Sequence, residues 1–319
     1  MRIAQVLDPS HKNWVLGGLF RDLLSSSSFF DRNTILLPPP NSLLNFIKWL
    51  ISCKRISSFN LVLFSSLTPL ENYSKYWFNN KNARLGLWFT HKEKTFSKKQ
   101  KIAITKCDVI FVHSQKIQKL LLQEFPSIKI IVAIGAINSD RFKLKTEIGT
   151  RIVWVGTIAD RKNPEIFIDL VRLTPHLNFR VLGKKWKESN LWRQLETLPN
   201  IEYFEIDHPL TSTDFNGCSV YLMLSKIEGG PMPLLESLAA GLVPICTRTG
   251  FVEDLLIPLG LKSNIIDEFE LAKIIEKIEI IIDSNIDRAI ISVYAQKYSF
   301  ERLAKLIFDN LAGDNDQSE

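Results

Sequence analysis

The segment LMLSKIEGGPMPLLESLAAGLVPI, residues 222–245, carries two glutamates, Glu228 and Glu236, on either side of a Gly-Gly-Pro turn. An apolar strand pattern, SVYLMLS, ends at Ser225, and a helix begins near Met232 or Pro233, where a proline suits the first helical position. Gly229 and Gly230 can take positive φ and let a ligand approach the backbone. Free amides at such a turn, with the positive end of the helix dipole, bind phosphate well. Helical spacing puts Leu234 and Leu238 on a buried stripe, with Leu235 and Ala239 beside it and Glu236 on the opposite side. A carboxylate next to a diphosphate would be repelled by it. Glu236 is therefore useful only toward uncharged hydroxyls, such as those of a ribose, and Glu228 could likewise face a sugar hydroxyl. Spacing alone leaves open the plainer alternative of one acid stabilising a helix dipole and another in a loop.

These residues must be positioned by strands and helices. RIAQVL, NTILLP, NLVLFSS, RLGLWFT, DVIFVHS and KIIVAI read as strands, separated by helical patterns such as SLLNFIKWLIS and SQKIQKLLLQEF. The polar stretch NSDRFKLKTEIGT, residues 138–150, interrupts this alternation, which resumes with RIVWVGT, FRVLG, IEYFEI, SVYLMLS and LVPICT. Helices are expected around 164–173, around 188–198 and from about Pro233, and the chain from about 268 reads as helical. Near-continuous apolar strands alternating with helices predict two doubly wound parallel sheets, Rossmann-like domains facing a cleft. Ligands in such sheets bind beyond the carboxyl ends of the strands, where the quoted turn lies.

Composition is that of an ordinary globular protein: 319 residues, 45% hydrophobic and 23% charged. No apolar run reaches the length of a membrane span. The start, MRIAQVLDPSHK, reads as a first strand and not a signal peptide. Cys53, Cys107, Cys218 and Cys246 are scattered without a CxxC pair, which fits a reducing cytoplasm and argues against a zinc site. Residues 1–148 hold 22 Lys and Arg against 9 Asp and Glu, whereas the remainder holds 18 against 25. The basic front half is suited to an acidic partner: a phosphorylated substrate, a phospholipid surface or nucleic acid.

SKIEGGPMPLLESLAAGLVPI resembles the nucleotide-sugar signature of retaining two-Rossmann-domain glycosyltransferases of GT-B type, the family 4 group (glycosyl transferases group 1). RIVWVGTIADRKNP resembles the family's VGR…K segment, and DVIFVHSQ, KIIVAIGAINSDRF and YSFERLAKLIFDN resemble further family stretches. The likeness spans residues 84–312, is strong over 151–250 and weakest over 1–83. It implies an N-terminal acceptor-side domain (1–148), a nucleotide-sugar domain (149–300), and a last helix that can pack back on the first domain, with a polar tail (301–319).

The resemblance also implies residue roles. Glu236 would hold the ribose hydroxyls, Glu228 would contact the donor sugar, and Gly229, Gly230, Pro231 and Met232 would cradle the sugar and diphosphate. Lys162 would neutralise the diphosphate, stabilise the departing charge and remove the need for a metal or cofactor. The family usually has arginine where this sequence has Thr157, a loss that Arg161 is placed to offset. Gly17 and Gly18, expected between the first strand and a helix, resemble the glycine pair that approaches the donor phosphate. His91, at the end of a strand, resembles the histidine near the donor sugar.

The implied activity is that of a retaining hexosyltransferase taking a UDP- or GDP-sugar to a glycan or lipid-linked acceptor in surface polysaccharide or glycoconjugate synthesis. The expected location is cytoplasmic, reaching the inner face of the plasma membrane through the basic N-terminal domain. A catalytically silent relative acting as a nucleotide-binding or partner subunit is the alternative, motivated by Thr157. Asp314 and Asp316 form a DxD pair, but in a polar tail and not at the end of a buried strand. Neither GxGxxG after the first strand nor GxxxxGK[ST] occurs, which argues against nicotinamide and P-loop chemistry. The basic run HKEKTFSKKQK, residues 91–101, lacks a nucleic-acid motif, so nucleic acid is not an expected partner. The segment SLLNFIKWLISCKR is apolar almost all round. Burial against the first sheet is favoured for it over rest on an anionic membrane.

Overall fold

The computed structural model describes residues 2–11, 15–31, 34–74, 83–90, 95–144 and 149–313. Two compact units result, one of Met1–Ala136 with Tyr298–Glu319, the other of Ile137–Lys297.

The first unit alternates strand and helix. Its elements are β1 (Ile3–Leu7), α1 (Val15–Ser26), β2 (Ile35–Leu36), α2 (Leu43–Ile56), β3 (Leu61–Phe64), α3 (Leu67–Ser74), β4 (Arg84–Phe89), α4 (Lys98–Ile104), β5 (Val109–Val112), α5 (Gln115–Glu124) and β6 (Lys129–Val132). The sheet is parallel throughout, in the order β2-β1-β3-β4-β5-β6. Ala4, Val6, Val62 and Phe64 face the layer holding Trp49, Cys53, Leu70 and Leu121. On the other face Ile3, Leu63, Trp88 and Phe111 meet Leu19, Phe20 and Leu23 of α1. That layer is completed by α12 (Phe300–Ala312), whose Leu303, Ile307 and Leu311 join the same core and whose Phe308 stacks on Phe29 at 4.5 Å. Burial on both faces is why these strands read as unbroken apolar runs.

The second unit contains β7 (Arg151–Val155), α6 (Pro164–Leu173), β8 (Phe179–Gly183), α7 (Trp192–Glu196), β9 (Ile201–Glu205), β10 (Cys218–Met223), α8 (Met232–Ala239), β11 (Val243–Thr247), α9 (Val252–Leu256), β12 (Ile265–Ile266), α10 (Leu271–Asp283) and α11 (Arg288–Ala295). Its parallel sheet runs β12-β11-β10-β7-β8-β9. The strand order reverses beside β7 and β10, and the loops leaving these two strands carry the candidate site, as expected of a topological switch point.

The chain passes from the first unit to the second between Ala136 and Ile137, ahead of the 148/149 junction that the resemblance implies and of the polar stretch at 138–150. Phe142 within it is buried in the second unit, 6.3 Å from the ring of Phe215, and its carbonyl accepts a 2.7 Å bond from Gln296 Nε2. One anchoring ring is too small a signal to alter the composition of a polar window. The helix expected at 188–198 is a short one, Trp192–Glu196.

Candidate functional site

Three strand-end loops of the second unit converge on Glu228. The first leaves β7 through Gly156 and a short 3-10 turn, Asp160–Lys162, and enters α6 at Asn163. Asn163 is buried with φ 51°, a left-handed conformation that asparagine tolerates, and Pro164 follows at the start of the helix. Its Nδ2 donates to Leu224 O at 2.8 Å, the Lys226 amide donates to Arg161 O at 2.7 Å, and Arg161 Nη1 reaches Ile227 O at 3.3 Å. These bonds stitch the first loop to the one between β10 and α8. The third loop, after β11, closes the arrangement. There Thr247 Oγ1 donates to Ser225 O at 2.6 Å and Thr249 Oγ1 accepts the Glu228 amide at 2.8 Å.

The outcome is a charged knot. Lys162 Nζ lies 2.9 Å from Glu228 Oε1, Arg161 Nη1 lies 2.7 Å from it, and Ser225 Oγ donates to the same oxygen at 2.9 Å. Lys162 and Glu228 are nearly buried, while Arg161 is half exposed. Burial pushes the Glu228 carboxyl upward. Lys162, through charge and hydrogen bond, then Arg161 and Ser225, outweigh that and hold it below the usual glutamate range. All three donors end on Oε1, so among the described residues Oε2 has no hydrogen-bond donor and can accept a ligand hydroxyl. Two cations against one carboxylate leave the knot with a net positive charge.

That charge sits beside the N-terminus of α8, whose first residue is Met232 and whose cap, Pro231, makes no side-chain hydrogen bond. Pro231 has no N–H and contributes shape only. Among the described residues the amides of Gly229 and Gly230 donate to no protein group, which leaves them for an anionic ligand. Leu234, Leu235, Leu238 and Ala239 are buried, and Glu236 is half-buried and engaged by neighbouring groups, on the side away from the Leu234–Leu238 stripe. Tyr221 of β10 is fully buried and within electrostatic range of both glutamates. Burial first, then Cys246, Glu228 and Glu236, pushes its phenol far up, so it stays protonated. At the far end of α8, Arg288 Nη1 donates to Gly241 O at 3.3 Å and to Ser219 O at 2.7 Å, and Ser292 Oγ donates to Ala239 O at 2.6 Å. These bonds hold the helix whose N-terminus faces the site.

Several expectations change. Gly229 and Gly230 do not adopt positive φ; the strained backbone lies on the neighbouring loops, at Gly156 (φ 151°) and Gly250 (φ 57°). A Cβ on Gly156 would stand 2.7 Å from Lys162 Cε, and one on Gly250 would stand 2.7 Å from Pro231 Cδ. The glycines that shape the site therefore make room for Lys162 and for the turn. Gly17 and Gly18 lie inside the first turn of α1, not ahead of it. First-turn amides lack helical partners anyway, so glycine is cheaper there than in a helix interior. Among the described residues a Cβ on Gly18 would meet only Arg21 Nη2, at 3.8 Å. Thr157 is exposed. His91, Asp314 and Asp316 lie outside the described residues. Sequence reasoning does not single out Asn163, Ser225 and Thr249 as site residues. The Asn-Pro pair at 163–164 is the one local signal, since it marks a turn into a helix. Among the described residues no group of three or more His, Cys, Asp or Glu side chains is arranged to hold a metal.

The architecture is shared with several solved structures. Anabaena HepE, solved with UDP-glucose, aligns with a TM-score of 0.75 at 13% identity over 98% of this chain and 100% of that one. The lipopolysaccharide outer core galactosyltransferase WaaB aligns at 0.68 with 14% identity over 98% and 99% of the two chains. TarM aligns at 0.61 with 14% identity over 79% of this chain, which spans about half (54%) of TarM. These likenesses define the fold as GT-B, two Rossmann-like α/β domains. The model of the family described as glycosyl transferases group 1 matches residues 137–298, just over half of the sequence, and the chain belongs to that family. A comparison with curated protein sequences found no match.

Proposed function

We propose that this glycosyltransferase is a retaining enzyme of the family 4 type. It moves a hexose from UDP or GDP to a glycan or lipid-linked acceptor in surface polysaccharide or glycoconjugate synthesis, at the inner face of the plasma membrane. The observation that carries the proposal is the placement of Lys162 and Arg161 on Glu228 Oε1 beside the N-terminus of α8. In this account the diphosphate lies against the Gly229–Gly230 amides with Lys162 and Arg161 beside it, so the cations replace the positive charge a metal would supply. Arg161 takes the part that Thr157, lacking charge, cannot take. Oε2 of Glu228 accepts a sugar hydroxyl, and Glu236 holds the ribose.

Retention follows if the acceptor hydroxyl attacks the anomeric carbon from the face that the diphosphate leaves. The new C–O bond forms as the bond to the diphosphate oxygen breaks, and the acceptor proton passes to that departing oxygen. Fixed cations stabilise the growing phosphate charge without having to reorganise, and such preorganised charge is the main source of rate enhancement open to a site of this kind. HepE was solved with UDP-glucose and WaaB is a lipopolysaccharide galactosyltransferase, which favours a uridine donor and a surface glycan here.

The test is incubation of the purified chain with radiolabelled UDP- and GDP-sugars and a panel of glycan and lipid-linked acceptors, with and without a chelator. Transfer unaffected by the chelator, giving a product of the donor's anomeric configuration, is expected. Inversion would overturn the retaining assignment. Nucleotide binding without turnover across the panel would make the chain a silent relative.

A further inference from the structure

We propose that the outward face of α2 is a docking surface for an anionic phospholipid bilayer. This rests on the membrane part of the function proposed above and makes it specific, and it is separable from sugar transfer. One side of α2 is fixed to the first unit: Trp49, Cys53 and Ile56 are buried, Trp49 Nε1 donates to Asn72 O at 3.1 Å, and Ser52 Oγ donates to Leu36 O at 2.9 Å. Residues follow one another at about 100° around a helix, so Leu43, Leu44, Ile47 and Ile51 share an arc of about 100° on the opposite side. A surface helix normally turns charges to water there. Instead these four and Phe46 are 43–80% exposed. This helix has two apolar faces, and the first unit covers only one.

The charge pattern identifies the occupant. Lys48 and Arg55 border the apolar arc, and Lys54 lies within it toward the C-terminal end of the helix. No acidic residue occurs between Asp31 and Glu71. Asp31 answers one of the cations, at 3.6 Å from Arg55 Nη2. An apolar face rimmed by lysines fits an interface where acyl chains take the leucines and isoleucines and anionic headgroups take the ammonium groups. A second copy of the chain fits less well, because a two-fold contact sets this face against itself and α2 has no acid to offset its own cations. Leu43 and Leu44 open the helix that follows β2 and so stand toward the carboxyl edge of the sheet, the end at which doubly wound sheets bind ligands.

Sedimentation with vesicles of phosphatidylglycerol, and separately of phosphatidylcholine, tests this without any nucleotide sugar. The full chain is expected to sediment with phosphatidylglycerol in a salt-sensitive manner and much less with phosphatidylcholine. The variant Leu44→Gln/Ile47→Gln/Ile51→Gln should keep its melting temperature, since those side chains already face water, and lose at least about tenfold in vesicle affinity. Lys48→Glu/Lys54→Glu should lose phosphatidylglycerol binding as well. The proposal is overturned if the wild-type chain stays in the supernatant at low salt, or if the glutamine variant sediments as well as wild type. It is equally overturned if the glutamine variant converts a wild-type dimer to a monomer with no vesicle binding in either. UDP and GDP binding measured on the same samples separates the two proposals: vesicle binding without nucleotide binding would leave the docking face and remove the transferase assignment.

Discussion

Lys162 and Glu228 are 66 residues apart in sequence, yet their side chains meet at 2.9 Å in a nearly buried pair. The contact joins the loop after β7 to the loop before α8, so it is both structural and, in the proposed function, the cation that meets the diphosphate. Lys162→Met separates these roles. Arg161 and Ser225 still hold Glu228, so the loss of stability should be about 1–3 kcal/mol, below the cost of stranding a buried charge completely. Turnover should fall by about a hundredfold or more, because the lost cation acts on charge that grows during reaction. A melt and an initial-rate assay on the same preparation check both. Equal rates in mutant and wild type would remove Lys162 from the chemistry.

Glu228→Gln should change how stability depends on pH. The folded protein holds this carboxyl below its ordinary value of 4.5, because Lys162, Arg161 and Ser225 outweigh the effect of burial. A depressed carboxyl stabilises the fold above the unfolded pKa, and that contribution disappears as pH falls through the lower folded value. Wild type should therefore be the more stable protein at pH 7, and the gap should close as pH falls below about 4.5. Denaturant melts of both proteins, taken from about pH 7 down to about pH 3, provide the check. A gap that widened on acidification would contradict the ion-pair account.

Legibility in the sequence tracks how local each cause is. The bounds of α6 are readable because an Asn-Pro pair starts the helix and an apolar stripe of Phe167, Ile168 and Val171 runs through it. Strands β3, β5 and β10 are readable because both faces are buried, which leaves no polar alternation. The knot at Glu228 is only half readable. The Glu, Gly and Lys types are visible, but the bonds from Asn163 to Leu224 and from Glu228 to Thr249 span 61 and 21 positions. The two faces of α2 are indistinguishable in sequence, since an apolar residue looks the same whether a sheet or water lies against it.

Glu236→Ala should weaken binding of the nucleoside diphosphate about 5- to 30-fold, the worth of one or two hydrogen bonds to ribose hydroxyls. The residue is half-buried on the flank of α8 and engaged by neighbouring groups, so the melt should also fall, by about 0.5–2 kcal/mol equivalent, while the protein stays folded. Calorimetric titration with UDP and GDP tests the claim. An unchanged dissociation constant for both nucleotides would remove the ribose role.

Gly156→Ala would probe the site without deleting a charge. The backbone there has φ 151°, which an L side chain rarely adopts, and the new methyl would stand 2.7 Å from Lys162 Cε and 2.9 Å from Cδ. The lysine end can swing away more easily than the backbone can move, so the methyl should push Nζ off Glu228 Oε1. Strain at such a position costs about 1–3 kcal/mol. The expected signature is non-additivity. If alanine at 156 already separates Lys162 from Glu228, adding Lys162→Met should cost much less activity than it does in wild type. A double-mutant cycle on turnover measures this directly. Full additivity would mean that Gly156 serves the fold alone and leaves the lysine where it was.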